Sequence, residues 1–163
     1  MKATIKEIQG TTFAAKADSN HWVVMDTSVK DDGSDGSSGP MEMVLMALGS
    51  CSGIDILLIL KKMRAKVSDF QINIQADRAE EHPKVFTKVR LEYIFQGEDL
   101  REKDIERAIQ LSLDKYCSVA GMVGKTAKIE TSYKIYQNIT LWPRCLLISI
   151  LTHSLFNSIQ ICF

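Results

Sequence analysis

The sequence predicts an α+β protein with the element order βββ-α-ββ-α-β. Three observations lead to this. Short β-rich runs cluster in the first third, and further strand-like runs recur from Phe70 onward. A long apolar helix follows a Gly/Ser/Asp loop, and a shorter amphipathic helix lies between the later strands.

Thr4–Ile8, Thr11–Ala15 and Trp22–Asp26 read as strands, separated by Gly10 and by Asp18-Ser-Asn. Lys30–Pro40 is Asp-, Gly- and Ser-rich and reads as a flexible polar connector; a lid over a neighbouring site is the sharper reading. Pro40 suits the first turn of a helix, because its φ is fixed and it lacks a donor.

Pro40–Arg64 reads as one long helix with apolar residues on all sides, the mark of a buried element. Lys61, Lys62 and Arg64 complement the dipole at its end. Met41, Met43, Met46 and Met63 read as core packing. Glu42 and Asp55 interrupt the apolar run, so no membrane span is expected. One small sheet and one shorter helix cannot cover such a helix, and pairing two of them in a symmetric dimer would.

Phe70–Gln75 and Val85–Phe95 read as strands, with Glu80-Glu-His-Pro83 turning between them. In the second, Val85, Thr87, Val89, Leu91, Tyr93 and Phe95 alternate with Phe86, Lys88, Arg90, Glu92 and Ile94. Arg101–Tyr116 reads as a helix whose stripe is Ile105, Ala108, Ile109, Ser112 and Tyr116. Cys117 ends it, Ser118–Val123 adds a turn, and Thr126–Tyr136 alternates as a last strand. Residues 1–137 therefore form the domain. Residues 138–163 are an apolar tail without an acidic residue, carrying Cys145 and Cys162, to which no role is assigned.

The chain has 163 residues, 20 basic and 20 acidic, so bulk charge draws it to neither nucleic acid nor anionic membrane. Met1–Ile8 has no apolar secretory core, so the expected location is the cytoplasm, where thiols stay reduced. His21, His82 and His153 are scattered and no CxxC spacing occurs, so neither a metal nor a cofactor is expected.

The chemistry-bearing candidates are Cys51 and Cys117, each at a helix. A thiol in an apolar helix is ordinarily a small buried hydrophobe; two in such positions raise thiol redox chemistry. Helical geometry places Cys51 beside Ala47, Leu48, Ile54 and Asp55. Gly49, Ser50, Ser52 and Gly53 flank it, giving close helix packing or room for a substrate. Asp55 reads as a buried hydrogen-bond partner or interface residue, and Glu42 as a first-turn carboxylate favouring the dipole.

The stretch Gly39-Pro-Met-Glu-Met-Val-Leu-Met-Ala-Leu-Gly-Ser-Cys51, the apolar helix after it, and Lys-Tyr-Cys117-Ser-Val together resemble the OsmC/Ohr superfamily of osmotically induced and organic hydroperoxide resistance proteins. The resemblance spans Met1 to Tyr136 and points to its third, poorly characterised branch. It implies an intertwined homodimer with the long helices buried between two sheets. It also implies a thiol peroxidase for organic hydroperoxides: Cys51 attacks the peroxide, Cys117 resolves the sulfenic acid as a disulfide, and a dithiol reductant restores both thiols. The named peroxidases of the family use an Arg from the amino-terminal strands and a Glu directly after the helix-starting proline. Here no Arg precedes Arg64, Met41 follows Pro40, and Glu42 is displaced by about 100° around the helix. Ser118 follows Cys117 where those enzymes usually have Pro. The other reading is therefore a non-catalytic dimeric binding protein for a small apolar or thiol ligand.

Overall fold

The computed structural model describes residues 1–137. The expectations for the tail, including Cys145 and Cys162, fall outside the described residues. Two three-stranded sheets are present. The first is an antiparallel meander of β1 (Ala3–Gln9), β2 (Thr12–Ala17) and β3 (Trp22–Met25). Helix α1 (Pro40–Lys62) follows, then β4 (Lys66–Arg78), β5 (Phe86–Glu98), α2 (Glu102–Leu111), a π-helical turn over Ser112–Tyr116, α3 (Ser118–Val123) and β6 (Lys128–Gln137). In the second sheet β5 is central, antiparallel to β4 and parallel to β6. The parallel pairing is possible because α2 to α3 carries the chain back across one face. The α+β order expected from the sequence is the order found.

The core lies between that face and the helices. Val89, Leu91, Tyr93 and Phe95 of β5 pack with Leu48, Ile56 and Leu60 of α1 and Ile105, Ala108 and Ile109 of α2. The opposite face is wet and paired: Lys88 to Glu130 at 2.8 Å, Arg90 to Asp77 at 2.7 Å and Lys134 to Glu92 at 2.6 Å. Gly49 and Gly53 let α1 settle on β4. A Cβ at Gly49 would stand 2.5 Å from Ile74 Cδ1, and one at Gly53 2.7 Å from Ile72 Cδ1. The small residues around Cys51 thus include two that serve close packing.

Four expectations need correction. The alternation of β5 does not hold at its start: Asp77 pairs with Lys88 but Arg78 with Phe86, so Thr87 is an extra residue. The bulge turns Phe86 into the core and Thr87 to solvent. The second helix does not run evenly to Tyr116. The Cys117 N–H bonds the Ser112 carbonyl five residues back at 2.7 Å, which widens the last turn and carries Tyr116 off the buried stripe to half exposure. Met46 is exposed rather than core.

The loop after β3 is organised rather than a free connector. The Asp26 side chain is buried and accepts bonds from Thr11 Oγ1, the Thr27 N–H, and the N–H and hydroxyl of Ser34. These bonds, the Ser34 hydroxyl foremost, hold its carboxyl far below the usual range. A Cβ on Gly33 would overlap the Thr27 backbone, so glycine is what permits the closure.

Helix α1 is long and apolar enough to cross a membrane by length and composition alone, a test that the core helix of a soluble protein also passes. One side is buried against α2, α3 and β4. Ile54, Leu57 and Leu58 are exposed on the other, as are Ile5 and Ile8 of β1 and Trp22 of β3.

Candidate functional site

The two thiols meet where α1 crosses the α2–α3 junction. Cys51 enters from the middle of α1. Cys117 enters from the joint between the π turn and α3, in extended backbone, where its sulfur accepts the Ala120 N–H at 3.4 Å. Cys51 Sγ, Cys117 Sγ and an Asp55 carboxylate oxygen all lie within 4.8 Å of one another. Both cysteines are free. Cys51 is partly exposed, whereas Cys117 is 3% exposed.

A buried polar chain holds these elements in place. Tyr93 Oη donates to Ser52 Oγ at 3.1 Å, and Ser52 Oγ donates to the Gly49 carbonyl at 3.1 Å. From the other side Ser112 Oγ donates to the Ser52 carbonyl at 3.1 Å. Ser52 follows Cys51 and Ser112 begins the π turn that leads to Cys117, so the spacing of the thiols is fixed through β5, α1 and that turn together. Burial pushes the Tyr93 hydroxyl up to about 12, so it remains a donor at any ordinary pH.

Burial likewise pushes the Cys117 thiol up to about 11, with Cys51 and the Asp55 carboxylate adding to the rise against the lowering bond from Ala120. Cys117 is therefore almost wholly protonated at neutral pH. Asp55 Oδ2 is sealed from solvent and has no hydrogen-bond partner among the described residues. Asp55 also lines a cleft of about 380 Å³, together with Leu58, Lys62, Arg107 and Tyr116. Two thiols and a carboxylate are three donors of the kind zinc takes, with no fourth His, Cys, Asp or Glu in the group among the described residues. A metal also needs thiolates, the form that burial disfavours at Cys117. The trio fits thiol chemistry better than a metal centre.

Of the residues singled out from sequence, Cys51 and Cys117 are brought together and Glu42 is not placed with them. Glu42 Oε2 accepts the Gly39 N–H at 2.7 Å, the half of a capping box that a glycine N-cap allows. Nine residues separate it from Cys51, about 13 Å along the helix and half a turn around it. Asp55 is the member that sequence reasoning assigned to structure alone. Its signal was its position, a carboxylate one turn from Cys51 in an otherwise apolar run.

Comparison with known proteins places this architecture. The family model described as OsmC-like protein matches residues 33–132. Protein YhfA of Escherichia coli strain K12 is 42% identical over 135 residues, covering 83% of this chain and 98% of its own length. A hypothetical protein from Aquifex aeolicus VF5 has a solved structure with TM-score 0.74 and 31% identity, over 84% of this chain and 96% of that one. An organic hydroperoxide resistance protein OsmC from Legionella pneumophila shares the fold at TM-score 0.63 and 13% identity, over 82% of this chain and 97% of that one.

Proposed function

Since the chain belongs to the OsmC-like protein family, we propose that it is a thiol-dependent peroxidase that reduces organic hydroperoxides in cytoplasmic oxidative stress defence. The observation that carries this is the approach of two free sulfurs, one reachable and one buried, to within 4.8 Å. Membership of the family favours redox chemistry and peroxide resistance.

Cys51, the more open thiol, attacks the outer peroxide oxygen as thiolate. An S–O bond forms, the O–O bond breaks, and the alkoxide leaves as alcohol after taking a proton. Cys117 then attacks the sulfenic sulfur, forming the disulfide and releasing water. A dithiol reductant opens the disulfide by exchange and is itself oxidised. Closing the bond requires sulfurs about 2.05 Å apart, which rotation of the two side chains must supply.

A homodimer belongs to this reading. The exposed Ile54, Leu57 and Leu58 of α1 and the exposed apolar residues of the first sheet are surfaces a second copy would cover. A second reading, a dimer that binds a small apolar or thiol ligand without turnover, draws support from Glu42, whose carboxylate is committed to Gly39.

Titration of free thiols before and after one equivalent of cumene hydroperoxide, with peptide mapping, separates the two. The peroxidase loses Cys51 and Cys117 as thiols and yields one equivalent of alcohol. Survival of both thiols would leave the binding reading.

A further inference from the structure

We propose that Asp55 is the proton acceptor for Cys117 in the step that closes the Cys51–Cys117 disulfide. Its place in a catalytic cycle rests on the peroxidase reading; its chemistry does not. Asp55 is the single acidic residue of α1 beyond the first turn. Its carboxylate lies within 4.8 Å of both sulfurs, and Oδ2 is buried without a partner among the described residues. An ionisable oxygen left unsatisfied is a standing cost of folding, and this carboxylate lies beside a group with a proton to give. Cys117 needs such an acceptor: it is 3% exposed and holds its proton tightly. Water reaches it poorly, so a thiol there attacks only as its proton departs to a neighbour.

Among the described residues, the titratable groups around Asp55 are few. Cys51 and Lys62 share its helix, Arg107 comes from α2, Tyr116 from the π turn and Cys117 from the joint before α3. Lys62 and Arg107 bring hydrogen-bond donors rather than an acceptor to this end of the helix.

With Cys51 as sulfenic acid, the Cys117 S–H proton passes to the Asp55 carboxylate and the sulfur's electron pair forms the S–S bond. The Cys51 S–O bond breaks, and the departing hydroxide takes the proton from Asp55 as water. Asp55 ends as it began. Two thiol sulfurs supply the two electrons that the hydroperoxide consumes.

The test uses a chromogenic aromatic disulfide in place of peroxide, on the full chain with Cys145→Ser and Cys162→Ser. The first coloured thiolate reports the mixed disulfide on Cys51; the second reports attack by Cys117. The rate of second release should be nearly independent of pH from about pH 6 to 9. Asp55→Asn should slow it about 100-fold at pH 7, with a rate that climbs about tenfold per pH unit as solvent base takes over. Should that variant fail to fold, the pH profile of the parent chain decides alone. Three results overturn the proposal: a tenfold-per-unit rise in the parent, equal rates in the variant, or no second release. A chain that ignores hydroperoxide but passes this test loses the peroxidase reading and keeps Asp55 as proton acceptor.

Discussion

Ser112 Oγ reaches across from the start of the π turn to the Ser52 carbonyl at 3.1 Å, fastening the residue after Cys51 to the turn that delivers Cys117. The bond is buried and joins residues sixty positions apart in sequence. Tyr93 fixes the same serine from β5. Loss of these bonds should therefore be felt at the thiols as well as in stability. Ser112→Ala and Tyr93→Phe should each cost about 1 kcal/mol in denaturant unfolding. Ser112→Ala should also slow closure of the Cys51–Cys117 disulfide. An unchanged closure rate would show that the sulfurs are positioned by other contacts.

The two cysteines should separate by step. Cys51→Ser is expected to abolish hydroperoxide reduction, because the attacking sulfur is gone. Cys117→Ser is expected to complete one turnover and stall as a sulfenic acid, detectable by dimedone adduct mass. If Cys117→Ser alone blocks the first turnover, the roles are reversed.

In solution the chain should sediment as a dimer at micromolar concentration and dissociate only on unfolding. The apolar residues left exposed on α1 and β1–β3 are the reason, and an obligate interface of this kind typically buries more than about 2,000 Å². A folded monomer would contradict it.

Acid should loosen the loop after β3. The folded Asp26 carboxyl is depressed, first by the Ser34 hydroxyl and then by the Thr27 N–H. Its contribution to stability is thus complete above the unfolded carboxylate value of about 3.9 and drains away as pH falls below it. The stability difference between the parent and Asp26→Asn should be flat above about pH 5 and shrink toward pH 2. A difference that grows with acid would reverse the sign of the linkage.

Gly97→Ala should be severe. A Cβ there would overlap the Lys66 carbonyl oxygen where β4 and β5 pair, so the strands must part or the backbone shift. We expect a loss of about 3 kcal/mol by denaturant titration.

Composition and periodicity alone carried the α+β order, the long apolar helix and the two thiols as the residues to watch. Hydrophobic pattern decides which local structure a segment takes, and that information is local. Glu42 shows the same reach: a first-turn carboxylate was legible as one, and it caps its own helix. Where pairing across space decides the outcome, the sequence was silent. Thr87 is displaced because β4 and β5 meet with an irregular register, and Tyr116 because the helix widens before Cys117. The Asp26 loop is ordered by donors gathered from Thr11 to Ser34. Asp55 could be placed one turn from Cys51 by counting residues, but its approach to Cys117 depends on how α1 crosses the α2–α3 joint. That crossing is set by packing on β5 and by the Ser52 bonds, and no local propensity encodes it.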